Sequence, residues 1–449
     1  MPTSIVLNAS NQEPPAPFLP TEIVELIIDN LVPEGRHPRV AYDELTSCSL
    51  VCRTWLHACR RRIFSHVETP VYDGVRAIPG QPPNEDKLIE VLNRNPTLLG
   101  NVRQVTYNVY QQEGNEDASI SILLRLPLVK RLSIHCARYT SFESANERGS
   151  NFRSLLMHYI STGNLSHLSV SKIDKLPMND ILSTPSLECL IVHDCGFRVD
   201  KRSSHHSPLK FLKIDGHKNM PWSIFQSCRE LETLIIGKPA IADDCMVEDA
   251  FPNLKYLKLS TPHWDEQVAP VNQILAGVSH VEQMRIEISS VKCQFPKPFR
   301  IDIGGSSRSF WTFATMIRDM MSAIQGNNVL EELDIILHYQ YRPRSIADEF
   351  TPTLDDWRMF TSILTDNPAS FPFLRRLSLQ ILVSEELNWG CGKVNQEELA
   401  AFEGALRCML QPIAHAPNIS LKVKARVYNS LNYFFSPPSF ETNSLFELD

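Results

Sequence analysis

The sequence predicts an α/β chain: a small three-helix unit near the N-terminus, then an irregular solenoid with a curved parallel sheet and helices on its convex side. Three observations lead there. Apolar residues recur at helical spacing between residues 19 and 63, a short apolar phrase repeats ten times from about residue 100 onward, and 449 residues exceed one ordinary compact core.

The first helix opens at Pro20, whose fixed φ suits a first turn where a missing N–H costs nothing. Glu22 and Glu25 place negative charge at the positive end of the helix dipole. Ile23, Leu26, Ile27 and Leu31 recur every three or four residues and predict one apolar stripe, with Glu22, Glu25, Asp29 and Asn30 turned elsewhere, before Pro33 and Gly35 end the helix. A second helix begins near Asp43, a good N-cap, and a third runs through Cys52, Trp55, Leu56, Cys59 and Ile63. Three short helices enclose little interior, so many of their apolar side chains stay wet unless a partner covers them. The competing reading packs Ile23, Ile27 and Trp55 onto the rest of the chain.

Leu19-Pro20 at the start, Leu45, and Leu50-Val51-Cys52-x-x-Trp55 in the third helix give a stretch of about 45 residues that resembles an F-box. An F-box is the helical module that joins a protein to the Skp-type adaptor of a cullin-RING ubiquitin ligase. The resemblance implies that Leu19, Pro20, Ile23, Ile27, Leu50, Val51, Cys52 and Trp55 bind the adaptor. The linker Val32 to Tyr42 is longer and richer in proline than the usual turn of that family.

The repeated phrase is apolar-x-x-apolar-x-apolar. It reads Val102/Val105/Tyr107, Val129/Leu132/Ile134, Leu165/Leu168/Val170, Leu187/Leu190/Val192, Leu209/Leu212/Ile214, Leu231/Leu234/Ile236, Leu254/Leu257/Leu259, Val281/Met284/Ile286, Leu330/Leu333/Ile335 and Leu374/Leu377/Leu379. First positions at 187, 209, 231 and 254 step by 22, 22 and 23 residues, inside the range of about 20 to 29 for leucine-rich repeats. The last two apolar residues of each copy point to one side of a short strand, and only stacking of neighbouring strands buries them.

The chain thus resembles a degenerate leucine-rich repeat protein, the Asn or Cys expected after each strand appearing only sporadically, as at Cys136 and Cys195. Residues between the apolar positions then line the concave side: Ser133, His135, Ser169, His193, Lys213, Asp215, Lys258, Arg285, Glu287, Asp334, Ser378 and Gln380. Helices through Asn84 to Arg94, Phe152 to Ile160, Phe310 to Ile324, Leu354 to Leu364 (capped by Thr353) and Glu397 to Leu410 cover the other side. Loops rich in Pro, Ser or charge at Gly74 to Pro83, Arg198 to Pro208 and Gln340 to Ala347 leave the array. The expected organisation is a flexible N-terminus at 1–17, an F-box-like unit at 18–66, a connecting helical segment at 67–100, the repeats at 101–435 and a tail at 436–449.

Forty-four basic against 51 acidic residues give a formal net charge of −7, which speaks against a dedicated nucleic-acid binder. No apolar run of membrane-spanning length and no signal-like N-terminus is present, so a cytoplasmic or nuclear location is expected. Eleven dispersed cysteines, among them Cys52, Cys59 and Cys189 at apolar-face positions, fit buried free thiols. Cys48, Cys52, His57 and Cys59 lack the spacing of common zinc fingers, His205-His206 has no second ligand cluster, and Arg60-Arg61-Arg62 suits a helix C-terminus. Ile303-Gly304-Gly305-Ser306-Ser307 lacks the lysine ending of a phosphate loop. No cofactor, metal or catalytic motif is expected. The two resemblances together imply a non-catalytic substrate receptor of a ubiquitin ligase, binding the adaptor at one end and a protein substrate on the repeats. The alternatives are a ligase-independent repeat scaffold and, more remotely, an enzyme on a solenoid.

Overall fold

The computed structural model describes residues 19–31, 42–69, 90–109, 116–143, 150–198, 206–216, 225, 227–237, 251–261, 274–275, 281–289, 321–322, 328–340, 354–366, 370–384 and 396–428. Its first part is three helices: α1 (Thr21–Leu31), α2 (Tyr42–Ser49) and α3 (Arg53–Ile63). The Pro20 carbonyl accepts from Ile23 N at 3.1 Å and Val24 N at 3.2 Å, so the first turn closes on the residue that cannot donate. Val24, Ile28, Leu45, Ala58 and Cys59 form a small core of their own, with Cys48, Trp55 and Ile63 half-buried against it.

The face of α1 that reaches this core differs from the expected one. Val24 and Ile28 are sealed, whereas Ile23, Leu26 and Leu31 are exposed and Ile27 is half-buried. At about 100° per residue the apolar arc of α1 runs from Leu26 through Ile23 and Ile27 to Ile28, wider than two short helices can cover. Ion pairs flank the edge that turns inward: Arg61 of α3 meets Glu25 at 2.7 Å and Arg62 reaches Asp29 at 4.0 Å. Cys52 also departs from expectation. It precedes α3 with an extended backbone (φ −162°, ψ 176°) and is exposed, rather than part of the helix's apolar stripe.

The rest is built on one parallel sheet of twelve described strands, in the order β1-β2-β3-β4-β6-β8-β9-β10-β11-β12-β13-β14. They are β1 (His66–Glu68), β2 (Gln104–Val109), β3 (Arg131–Ser141), β4 (His167–Asp174), β6 (Cys189–His193), β8 (Phe211–Asp215), β9 (Thr233–Gly237), β10 (Tyr256–Thr261), β11 (Gln283–Ser289), β12 (Glu332–Gln340), β13 (Arg376–Ser384) and β14 (Ser420–Tyr428). The short β5 (Leu176–Pro177) and β7 (Phe197–Arg198) pair separately.

The last two apolar positions of all ten copies fall on strands of this sheet, the opening position just before each strand, and the register keeps them aligned. Val105, Leu132, Leu168, Leu190, Leu212, Leu234, Leu257, Met284, Leu333, Leu377 and Leu421 are successive cross-strand partners, and all but Leu421 are buried. The opening position of each copy, from Val102 to Leu374, is buried beneath them. Each such side chain contributes about 1.5–3 kcal/mol on leaving water, which only the stack makes available. Two strands lie outside the phrase: β1, where Val67 is the one buried apolar residue, and β14, where Asn418 stands at the opening position.

Helices pack against one side of this ladder. They are α4 (Glu116–Leu123), α5 (Ser150–Thr162), α6 (Met178–Leu182), α7 (Leu354–Thr365), α8 (Gln396–Met409) and α9 (Gln411–Ala414). Phe152, Leu155, Leu156 and Tyr159 of α5 share the main core with Leu168 and Val170, and the Tyr159 hydroxyl donates to the Leu123 carbonyl. Beside the last strand, Arg407 of α8 donates to Val423 O at 2.8 Å and the Glu403 carboxylate accepts from Ala425 N at 3.0 Å. The predicted helices over 152–160 and 354–364 fall within α5 and α7, that over 397–410 matches α8 but for Leu410, and residues 90–94 are helical. Thr353, most of 310–324, Gly74 to Pro83, Ile303 to Ser307, and the segments 1–17 and 436–449 lie outside the described residues. Among the described residues no helix is long and apolar enough to cross a membrane.

Candidate docking surfaces

Two surfaces stand out, one on the helical unit and one on the polar face of the sheet. On the helical unit, Leu19 is 51% exposed, Ile23 41%, Leu26 58%, Leu50 82% and Val51 66%. Six of the twelve large apolar side chains exposed among the described residues belong to these helices and their turn. Of the residues named for adaptor binding, Leu19, Pro20, Ile23, Leu50, Val51 and Cys52 are exposed, while Ile27 and Trp55 are half-buried and serve the small core as well. The arginine run at the end of α3 is engaged at home through Arg61 and Arg62.

The sheet brings the twelve expected face residues into two rows. One row of cross-strand partners runs Thr106, Ser133, Ser169, Ile191, Lys213, Ile235, Lys258, Arg285, Asp334, Ser378 and Lys422. The second, two residues further along each strand, runs Asn108, His135, Ser171, His193, Asp215, Gly237, Ser260, Glu287, Ile336, Gln380 and Lys424. A third row, two residues before the first, includes Arg131, Phe211, Tyr256, Gln283 and Arg376. Sequence reasoning missed Ile191 and Ile235 because an apolar residue between two apolar residues carries no sign of which face it takes. It missed Thr106, Asn108, Ser171 and Ser260 although the phrase offset marks them.

The second row carries a polar network. His135 Nδ1 lies 3.2 Å from Ser171 Oγ, and His193 sits between two carboxylates, 3.3 Å from Asp215 and 3.4 Å from Asp194. Burial depresses the pKa of His135 and so favours the neutral ring. The hydrogen bond with Asp215 raises that of His193, against the opposing effects of burial and Lys172. The two histidines, two strands apart, are therefore biased in opposite directions, His135 toward the neutral ring and His193 toward the protonated one.

Asp194 takes a left-handed backbone, φ 50°, and its carboxylate occupies the space that a side chain at Gly216 (φ 79°) would need. One strand further, Asp215 stands in the same relation to Gly237. Each close approach of carboxylate to backbone requires a glycine on the next strand.

The buried thiols are structural. Cys195 Sγ lies 3.3 Å from His193 O and accepts from Ile173 N at 3.4 Å, tying the turn after one strand to the next. Burial pushes the Cys189, Cys195 and Cys228 thiols up to about 12 and Cys136 to about 11, so all four stay protonated. Among the described residues no three His, Cys, Asp or Glu side chains gather to hold a metal ion, and His206 is exposed.

The class this geometry defines is an α/β chain with one long parallel sheet, helices on one side and a polar face of aligned rows. Compared with protein-family models and with curated proteins, the chain matches none.

Proposed function

We propose that the chain is the non-catalytic substrate receptor of a cullin-RING ubiquitin ligase, an F-box-like head joined to a leucine-rich-repeat-like body. In this reading Leu19, Ile23, Leu50 and Val51, with Pro20, Ile27, Cys52 and Trp55, seat the Skp-type adaptor, and the rows of the sheet's polar, concave face hold a protein substrate. The observation that carries it is the apolar surface of the helices. Leu50 at 82% and Val51 at 66% exposure are costly to leave in water, and a second subunit is what recovers that cost. The receptor acts by holding a substrate lysine near the conjugating enzyme, which raises its effective concentration.

A second reading has its own support. The helix α3 leads into β1 within two residues, and Ser65 O accepts from Arg103 N at 2.8 Å and Gln104 N at 3.0 Å, so the helical unit stands at the first end of the sheet, where a solenoid needs a cap. A ligase-independent scaffold needs only that cap.

Co-purification separates the two. The double variant Leu50→Ala with Val51→Ala is expected to lose Skp-type adaptor and cullin from pull-downs while its thermal midpoint stays in place. Equal capture by the variant, or no capture by the native chain, leaves the scaffold reading.

A further inference from the structure

The register reveals a patch that composition alone conceals. Across β6 to β11 the first row reads Ile191, Lys213, Ile235, Lys258 and Arg285 on consecutive strands. Phe211 and Tyr256 of the third row stand beside it, both half-buried. Ile235 is 8% exposed and lies between the two lysines. The patch is bounded by small polar Ser169 on one side and by Asp334 on the other.

Several charges elsewhere on the sheet are answered locally. At the strand starts Lys210 meets Glu188 at 3.4 Å and Lys255 meets Glu232 at 3.0 Å, and Arg376 pairs with Glu332. Asp215 is held by His193. Lys213, by contrast, makes no ion pair among the described residues, and Arg285 Nε is buried without a hydrogen-bond partner.

The geometry points to an acidic, partly apolar extended peptide segment as the occupant of this patch, its carboxylates on Lys213, Lys258 and Arg285 and an apolar side chain over Ile235. Neighbouring strands lie about 4.8 Å apart, so Lys213 and Lys258 are spaced by about 10 Å, and an extended peptide covers that in roughly three residues at about 3.3 Å each. Successive side chains of an extended segment alternate faces, so the expected signature is two acidic residues four positions apart with an apolar residue midway, the flexible lysine stems taking up the difference between about 10 Å and about 13 Å. Nucleic acid fits less well, because the basic residues are interrupted by Ile235 and the chain carries a net charge of −7. The assignment names the substrate class for the receptor reading above and rests on it.

The test is a random peptide library selected on the purified full-length chain, followed by fluorescence anisotropy with the selected peptides. Enrichment of acidic–apolar peptides is expected, with affinity falling about tenfold or more in Lys213→Gln, Arg285→Gln and Ile235→Ser, and falling again as salt rises. Circular dichroism melts of the three variants identify any that fail to fold, and a Lys258→Gln variant gives an independent reading. Selection of basic or neutral peptides, no enrichment, or affinity unchanged in these variants overturns the assignment, as does an oligothymidine strand that binds more tightly at the same residues. Adaptor capture, measured separately, keeps the outcomes distinct. Lost peptide binding with capture intact removes only the substrate class, and lost capture with peptide binding intact removes only the ligase.

Discussion

The helical unit and the sheet solve the same problem with different success. Each strand has one apolar side, but its neighbours complete it, and a single continuous core runs from Val67 to Val423. The three helices bury five apolar side chains and leave six large ones in solvent. The difference teaches that repetition is what satisfies the body: a rung buries its leucines because the next rung is present. The helices have no next rung, so their surplus apolar surface is available to another molecule.

The contrast can be broken most forcefully in the body. Leu212→Ala, at a fully buried rung, is expected to cost about 2–5 kcal/mol in denaturant unfolding, because the stack cannot collapse around the cavity. A cost below about 1 kcal/mol would mean that the rungs do not depend on one another. Ile28→Ala should cost about 2 kcal/mol or more but locally, lowering hydrogen-exchange protection in α1 to α3 and sparing the strands. Equal loss in both regions would erase the distinction between two cores.

Gly216→Ala forces a side chain into a left-handed backbone against the Asp194 carboxylate, and about 1–3 kcal/mol of destabilisation is expected by thermal melting. Leu50→Ala marks the opposite extreme. At 82% exposure it should leave stability within about 0.5 kcal/mol, and a larger loss would place Leu50 inside a core after all.

The smallest effect is electrostatic. His193 binds its proton more tightly folded than unfolded. Its contribution is therefore full below its unfolded pKa of about 6.5 and is lost as pH rises through the higher folded value. His135 has the reverse sign: burial favours its neutral ring, so stability falls as pH drops through about 6.5. NMR titration should find His193 above and His135 below that value, and Asp215→Asn should lower the first while leaving the second. Coincident titrations would dissolve the network.

Much of the body was legible in the sequence because its repeat writes the same physics ten times. The phrase located ten strands, and its polar offsets placed Ser133 through Gln380 on two rows. Strand β14 escaped because Asn418 replaces the opening apolar residue, and β1 because three residues are too few for a period. The helices were legible as helices, but not which half of α1 faces inward. Periodicity reports an apolar arc, whereas the choice between Val24 and Ile23 is made by packing against Leu45, Ala58 and Cys59 of α2 and α3. Cys52 was misplaced for a related reason, since a cap residue shares the spacing of the helix it precedes. The basic patch could not be read from spacing at all, because Lys213, Ile235, Lys258 and Arg285 become neighbours only through strand register.

The end of the sheet has a consequence for assembly. A parallel array has no intrinsic length, and its outermost ribbon ordinarily invites another to join. At β14 two groups of α8 already occupy those positions, Glu403 on the Ala425 amide and Arg407 on the Val423 carbonyl. A newcomer, whether a sibling molecule or a β-rich client, would have to evict both before it could zip on. Polymerisation through that stretch of the margin is thereby opposed.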